Sequence, residues 1–193
     1  MTEYSKETSF WHLLKEKRIV IPIIQRDYAQ GRIGKEYLRQ RFLGQLLCAL
    51  KTDTPESKLV LDFVYGSTEG NILYPLDGQQ RLTTLWLLHW YLALRAGALD
   101  EDGQTLRNFS YETRTSSRIF CDNLCKIKAS YKPETDDVVS FIRNQRWYYS
   151  SYDQDPTIQS MLCMLGGSGM EGKSDGIEKM FSFGEDFGNY LDR

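Results

Sequence analysis

The chain has 193 residues, enough for one domain or for one domain with a helical extension. Hydrophobic residues at 41% and charged residues at 26% exclude a disordered chain, and aromatics at 13% can furnish a sizeable core. A formal net charge of −2 excludes the overall basic surface of a dedicated DNA binder.

The N-terminal stretch MTEYSKETSFW is polar and mixed in charge, unlike a secretory signal. Phe10, Trp11, Leu13 and Leu14 then predict a short helix ending near Lys17. Residues 18–24, RIVIPII, are mostly β-branched and predict a strand. Pro22 has no N–H to give to a ladder, so this strand must lie at an edge or stop pairing there. A polar, glycine-containing loop follows over residues 25–34. Leu38, Phe42, Leu43, Leu46, Leu47 and Leu50 fall at helical spacing and predict an amphipathic helix over residues 35–50. Across residues 15–41, eight Lys and Arg stand against three Asp and Glu. Such a stretch can contact DNA phosphates, although a solvated helix face is the commoner meaning of it.

Residues 52–57 predict a loop, and residues 59–65 a strand with Asp62 as its one charged member. Turn formers over residues 66–71 and an apolar run over residues 72–76 complete a β-hairpin. Asp77-Gly78 breaks it. Residues 80–96 predict a long, mostly buried helix closed by Gly97. Its apolar run is too short to span a bilayer, so a soluble, cytoplasmic protein without a membrane partner is expected. Beyond residue 100 strand signals fade. Helices are predicted over residues 116–126 and 135–143, and Asp155-Pro156 supplies an N-cap and a first-turn proline for a helix through Leu165. The cysteines Cys48, Cys121, Cys125 and Cys163 lack CxxC spacing and an adjacent His, which points to buried free thiols rather than zinc. A glycine-rich loop over residues 166–176 and a last helical stretch over residues 177–192 follow. The expectation is an α+β fold. Residues 1–98 form a domain with a small mixed sheet and flanking helices, and residues 99–193 form a mostly helical extension, cut short at its C-terminus.

The sharpest motif is Asp77-Gly78-Gln79-Gln80-Arg81 at the predicted strand-to-helix junction. Free backbone N–H groups and the positive end of a helix dipole favour an anion there. Gly78 permits a tight turn and close approach of a ligand, and Arg81 offers a planar fork suited to phosphate oxygens. Gln79 and Gln80 add neutral donors and acceptors, while Asp77 can hold a metal or orient a water. Equally compatible with these residues alone is a helix that Asp77 merely caps, with Gln80 and Arg81 in solvent. The second motif is Gln25-Arg26-Asp27-Tyr28, where Arg26 leaves a strand end into a loop and Tyr28 can stack on a base. A surface Arg beside a core Tyr is its plainer reading.

Together, IPIIQRDY and the later DGQQRLTTL resemble the N-terminal domain of GmrSD-type restriction proteins, also catalogued as domain of unknown function 262. Residues 109–114 and Asp155-Pro156-Thr157-Ile158 also resemble segments of larger members. The resemblance implies a ParB- and sulfiredoxin-like fold and binding of a nucleoside triphosphate, in some members with hydrolysis, as part of phage defence. Carried over by position, Gln25 and Arg26 belong to the first motif and Asp77 to Arg81 to the second. The arrangement implied is Arg26 and Arg81 on phosphates and Asp77 on Mg²⁺ or a water, with GTP, ATP and CTP all open. It also implies a separate HNH-type nuclease domain or subunit. A non-catalytic DNA sensor using residues 15–41 and a ParB-like DNA nuclease are the rival readings. The family often carries Trp where this chain has Gln30.

Residues 167–174, GSGMEGKS, match the P-loop pattern letter for letter. A working P-loop follows a buried strand and founds a sheet of further strands. Here a proline-started helix precedes it and too little chain follows, so a helix–helix loop is expected.

Overall fold

The structure, a computed structural model, describes residues 6–51, 59–112, 114–167 and 175–181. The expected loop at residues 52–57, most of the glycine-rich stretch and the chain past Phe181 lie outside them. The fold is α+β. Four strands, β1 (Arg18–Ile21), β2 (Gly66–Glu69), β3 (Ile72–Pro75) and β4 (Phe109–Tyr111), form one mixed sheet in the order β2-β3-β1-β4. β1 runs parallel to both neighbours, with Ile19 opposite Leu73 on one side and Phe109 on the other, while β2 and β3 form the antiparallel hairpin.

Parallel neighbours require long crossovers. Between β1 and the hairpin the chain passes through α2 (Glu36–Lys51), and between β3 and β4 through α3 (Gln79–Ala96) and α4 (Leu99–Leu106). α3 is apolar nearly all round because it is the central helix, where a one-faced stripe would leave the core unfilled. Trp86 and Trp90 are fully buried on it, and their indole N–H groups donate to Leu106 O at 2.9 Å and Leu124 O at 3.0 Å. Gly97 closes the helix as expected. α5 (Thr115–Leu124), α6 (Val138–Arg143), α7 (Pro156–Gly166) and α8 (Ile177–Met180), with a 3-10 helix at Ser150–Gln154, are the described helices beyond β4. Asp155 caps α7, its Oδ1 accepting from Thr157 N at 2.9 Å and Ile158 N at 3.2 Å.

One expectation is met in the second of its two forms, and two change. β1 is a central strand that stops at Ile21, because Pro22 cannot extend the ladder, and Ile23 and Ile24 turn outward into solvent. The strand expected over residues 59–65 is absent, and the stretch read as a turn is β2. Carbonyls of the earlier stretch are taken elsewhere: Tyr65 O accepts from Leu76 N and Asp77 N, and Phe63 O from Arg81. Finally, β4 is a strand where only helices were expected, since three buried residues show no alternation to read.

Among the described residues no cysteine forms a disulfide; Cys121 and Cys125 are buried as expected, whereas Cys163 is half-buried and Cys48 is exposed. No described helix is long and apolar enough to cross a membrane. α1 (Phe10–Glu16) packs on α3 through His89, which stacks on Trp11 with ring centroids 5.7 Å apart. Burial lowers the His89 pKa to about 4 despite its ring hydrogen bond with Leu85 O. A His held neutral in the fold stays unprotonated where the unfolded chain has already taken up a proton. Stability should therefore fall as pH drops from about 6.5 towards 4, by up to about 3 kcal/mol from this residue. Urea unfolding of the parent and of His89→Phe at pH 7 and pH 4.5 checks this; the variant should lose less on acidification.

Candidate functional site

The C-terminal ends of the three mutually parallel strands lie on one side of the sheet, which is where open α/β sheets carry their ligands. Each opens into a segment that the sequence marks out. After β1 comes the Gln25–Tyr28 motif, after β3 the Asp77–Arg81 motif, and after β4 the stretch that leads to Arg114.

The two motifs meet through their side-chain amides. Gln25 Nε2 donates to Leu76 O at 2.9 Å, and Gln79 Nε2 donates to Arg26 O at 2.7 Å. Gln80 holds the loop after β1 at three points. Its Oε1 accepts from Ala29 N at 2.9 Å and Gln30 N at 3.0 Å, and its Nε2 donates to Asp27 O at 3.2 Å. The glutamines of the second motif therefore read the backbone of the first, and Gln80 is not a solvent-facing residue. Gln30 brings its Oε1 to 3.0 Å from Thr84 Oγ1 and so belongs to the same packed network.

Tyr28 is fully buried and its hydroxyl lies 2.8 Å from Thr84 Oγ1. Burial pushes its phenol well above the usual range, so it acts as a neutral hydrogen-bonding group. The expected stacking of Tyr28 on a base has no exposed ring face to work with; an aromatic this large gains more from the core. Arg26 is exposed, and its side chain makes no hydrogen bond or ion pair among the described residues.

Gly78 is the N-cap of α3 with φ 86°, and a Cβ there would lie 2.8 Å from Val64 Cγ2. Only glycine fits both the left-handed backbone and the space. No side chain caps α3, so Asp77 is not the cap. The first backbone N–H bonded within the helix is that of Leu82, which donates to Gly78 O at 2.9 Å, and the N–H groups ahead of it face the motif. Arg81 is partly exposed. Its Nη2 donates to Phe63 O at 2.7 Å and lies 4.0 Å from Asp77 Oδ2, while Nη1 lies 3.5 Å from Asp62 Oδ2.

Gln79 carries one further feature. It is 7% exposed, and its Oε1 is buried without a hydrogen-bond partner while its Nε2 is fixed on Arg26 O. Burying an amide oxygen unpaired costs about 1–3 kcal/mol, so such an atom calls for a donor.

Sequence reasoning passed over Asp27 as a site residue. Its carboxylate takes Arg114 Nε and Nη2, each at 3.2 Å, with Arg32 Nη2 at 3.7 Å and Thr157 Oγ1 at 3.5 Å. This ties the loop after β1 to the starts of α5 and α7. Arg114 and Thr157 belong to the two later segments of the resemblance, which was the available signal. Asp62 was visible only as the charged residue in an apolar run.

Among the described residues no group of three His, Cys, Asp or Glu could hold a metal ion. Asp77 and Asp62 lie on either side of the Arg81 guanidinium, 4.0 Å and 3.5 Å from its nitrogens, so they do not form a shared cation site; a single carboxylate with phosphate is the lighter requirement of Mg²⁺. The basic character of residues 15–41 is not all on the surface, because Arg39 is completely buried. A surface depression of about 330 Å³ lined by Lys6, Ser9, Trp11, His12 and Lys15 lies elsewhere. It sits beside α1, which meets α3 at His89, about 15 Å along the helix from Gln79.

The family model described as GmrSD restriction endonuclease, N-terminal domain, matches residues 10–166. Comparison with curated proteins and with solved structures finds no match.

Proposed function

The chain belongs to the GmrSD restriction endonuclease N-terminal domain family, and on that premise we propose that the junction of β1, β3 and α3 binds a nucleoside triphosphate. The module then regulates a restriction protein acting against foreign DNA, whose cutting chemistry sits in a separate nuclease domain or subunit. The observation that carries this reading is the combination at the start of α3. Uncapped amides, Arg81 and the unpaired Arg26 offer donors to a polyanion, while Gln79 Oε1 is a buried acceptor awaiting a donor. A bare anion would satisfy only the first set. A nucleotide also carries hydroxyls and bound water that can act as donors.

In this reading Arg81 and Arg26 hold phosphate oxygens and the first-turn amides of α3 share them. Asp77 would hold Mg²⁺ together with phosphate oxygens, and the ion would neutralise phosphate charge when bound. Gln80 sets the position of the Arg26 loop through Asp27, Ala29 and Gln30. Gln79 Oε1 orients a hydroxyl or a water. Transfer of a phosphoryl group needs mainly positioning and charge stabilisation, which this set would supply if hydrolysis follows.

Calorimetric titration of the full chain with GTP, ATP and CTP, with and without Mg²⁺, tests the reading. At least one triphosphate should bind, more tightly with Mg²⁺ than without. Gln79→Met keeps the side-chain length but removes both the Oε1 acceptor and the Nε2 donor to Arg26 O, and should weaken binding roughly fivefold to tenfold. No heat with any of the three nucleotides overturns the reading.

A further inference from the structure

Tyr28 cannot serve as a base platform, yet two aromatic side chains beside the start of α3 stand open: Phe63 is 74% exposed and Tyr65 is 61% exposed. Scattered exposed apolar residues need no explanation, but here Ile24, Val60 and Leu76 are exposed as well. Their backbones are tied to one place. Gln25 reaches Leu76 O, Leu76 N donates to Tyr65 O at 2.8 Å, and Val64 packs against Gly78. Phe63 is held most directly, its N–H donating to Asp62 Oδ1 at 2.9 Å and its carbonyl accepting from Arg81 at 2.7 Å. The segment pairs with no strand, and nevertheless it is pinned to the arginine and the helix start that would take phosphates.

A polar, cationic helix start directly beside a fixed apolar rim is the division found in a nucleotide, which has a polyanionic tail and a flat base. Resting on the nucleotide reading above, we propose that Phe63 is the platform on which the base of the bound nucleotide stacks, with Ile24 and Leu76 at its edges. Through the Arg81–Phe63 hydrogen bond, one arginine sets both the phosphate position and the height of the platform. Every base has a π-face, so this platform supplies affinity to any nucleotide and leaves the choice among bases to other groups.

The test compares parent, Phe63→Ala and Phe63→Trp in titrations with GTP, ATP, CTP and inorganic triphosphate. Phe63→Ala should lose about tenfold in affinity for the nucleotides that bind the parent, with triphosphate affinity unchanged. Phe63→Trp should restore nucleotide binding. If Phe63→Ala binds nucleotide like the parent, the inference is overturned while nucleotide binding stands, and the rim is left to a protein partner. An equal loss for nucleotide and triphosphate, or an equal loss in both variants, also overturns it, since Phe63 would then act only by placing Arg81. If the parent binds neither nucleotide nor triphosphate, the reading beneath the inference fails and takes the inference with it.

Discussion

Replacing Asp175 by alanine is expected to cost about 3–5 kcal/mol of folding stability. Arg39 on α2 has no solvent exposure, and its guanidinium contacts Asp175 through Nη2 and through Nε at 3.1 Å, while Nη1 donates to Gly31 O at 2.8 Å. The only full charge opposing it in these contacts is that carboxylate. Once it is gone, a cation remains in a site with no water to solvate it. Gly31 cannot yield space, because even a Cβ there would lie 1.7 Å from Ser160 O. The loop after β1 is therefore fixed to α2 and α7 together, and loosening Arg39 should disturb the loop that carries Arg26. Urea unfolding monitored by circular dichroism should show the midpoint of Asp175→Ala well below the parent. Combining it with Arg39→Met should recover much of the loss, because an apolar pair can fill such a site. A single variant as stable as the parent would mean that Arg39 finds another partner.

Arg81→Ala should weaken triphosphate binding ten- to a hundredfold, on the scale of hydrogen bonds to a charged group of about 1.5–3 kcal/mol. The guanidinium stands in the first turn of α3, between the Asp62 and Asp77 carboxylates, with Phe63 O fixing one of its nitrogens. Arg81→Lys keeps the charge but loses the fork and should fall between parent and alanine. Thr84→Ala is the contrasting substitution. Its hydroxyl does bond the helix backbone, at 3.0 Å from Gln80 O, but it also meets Tyr28 OH at 2.8 Å in the fully buried interior. That variant should lose about 1–2 kcal/mol of stability and little affinity per folded molecule. Calorimetry with the tightest-binding nucleotide, alongside thermal melts, separates the two. Equal affinities for parent and Arg81→Ala would assign Arg81 to holding residues 62–63 alone.

Much of the candidate site was legible from residue types. Gly78 marked the turn, and the pairing of the two glutamine- and arginine-bearing motifs pointed to their meeting. What each side chain does there was not legible. Gln80 had the same donors and acceptors whether it faced solvent or clamped residues 27–30, and Tyr28 was as good a stacking residue as a core one. Asp27 looked like one more charge in a basic stretch until Arg114 and Thr157 came to it from the far part of the chain. The helix that ends just ahead of the glycine-rich stretch is α7, and residues 168–174, on which the P-loop pattern falls, lie outside the described residues.

By itself, the sequence determined α2, α3 and α7, the end of β1 at Pro22, the glycine that opens α3 and the one that closes it. These are local outcomes, decided within a few residues by apolar spacing, capping and the missing N–H of proline. Tertiary structure alone decided that β1 is central, that residues 66–69 rather than 59–65 form β2, and that residues 109–111 supply β4. It also decided that Arg39 is buried on Asp175, Tyr28 on Thr84 and Phe63 tethered to Arg81. In each of these cases the partner lies far along the chain, and the competition between ladder, core and side-chain hydrogen bond is settled only when the distant segment arrives.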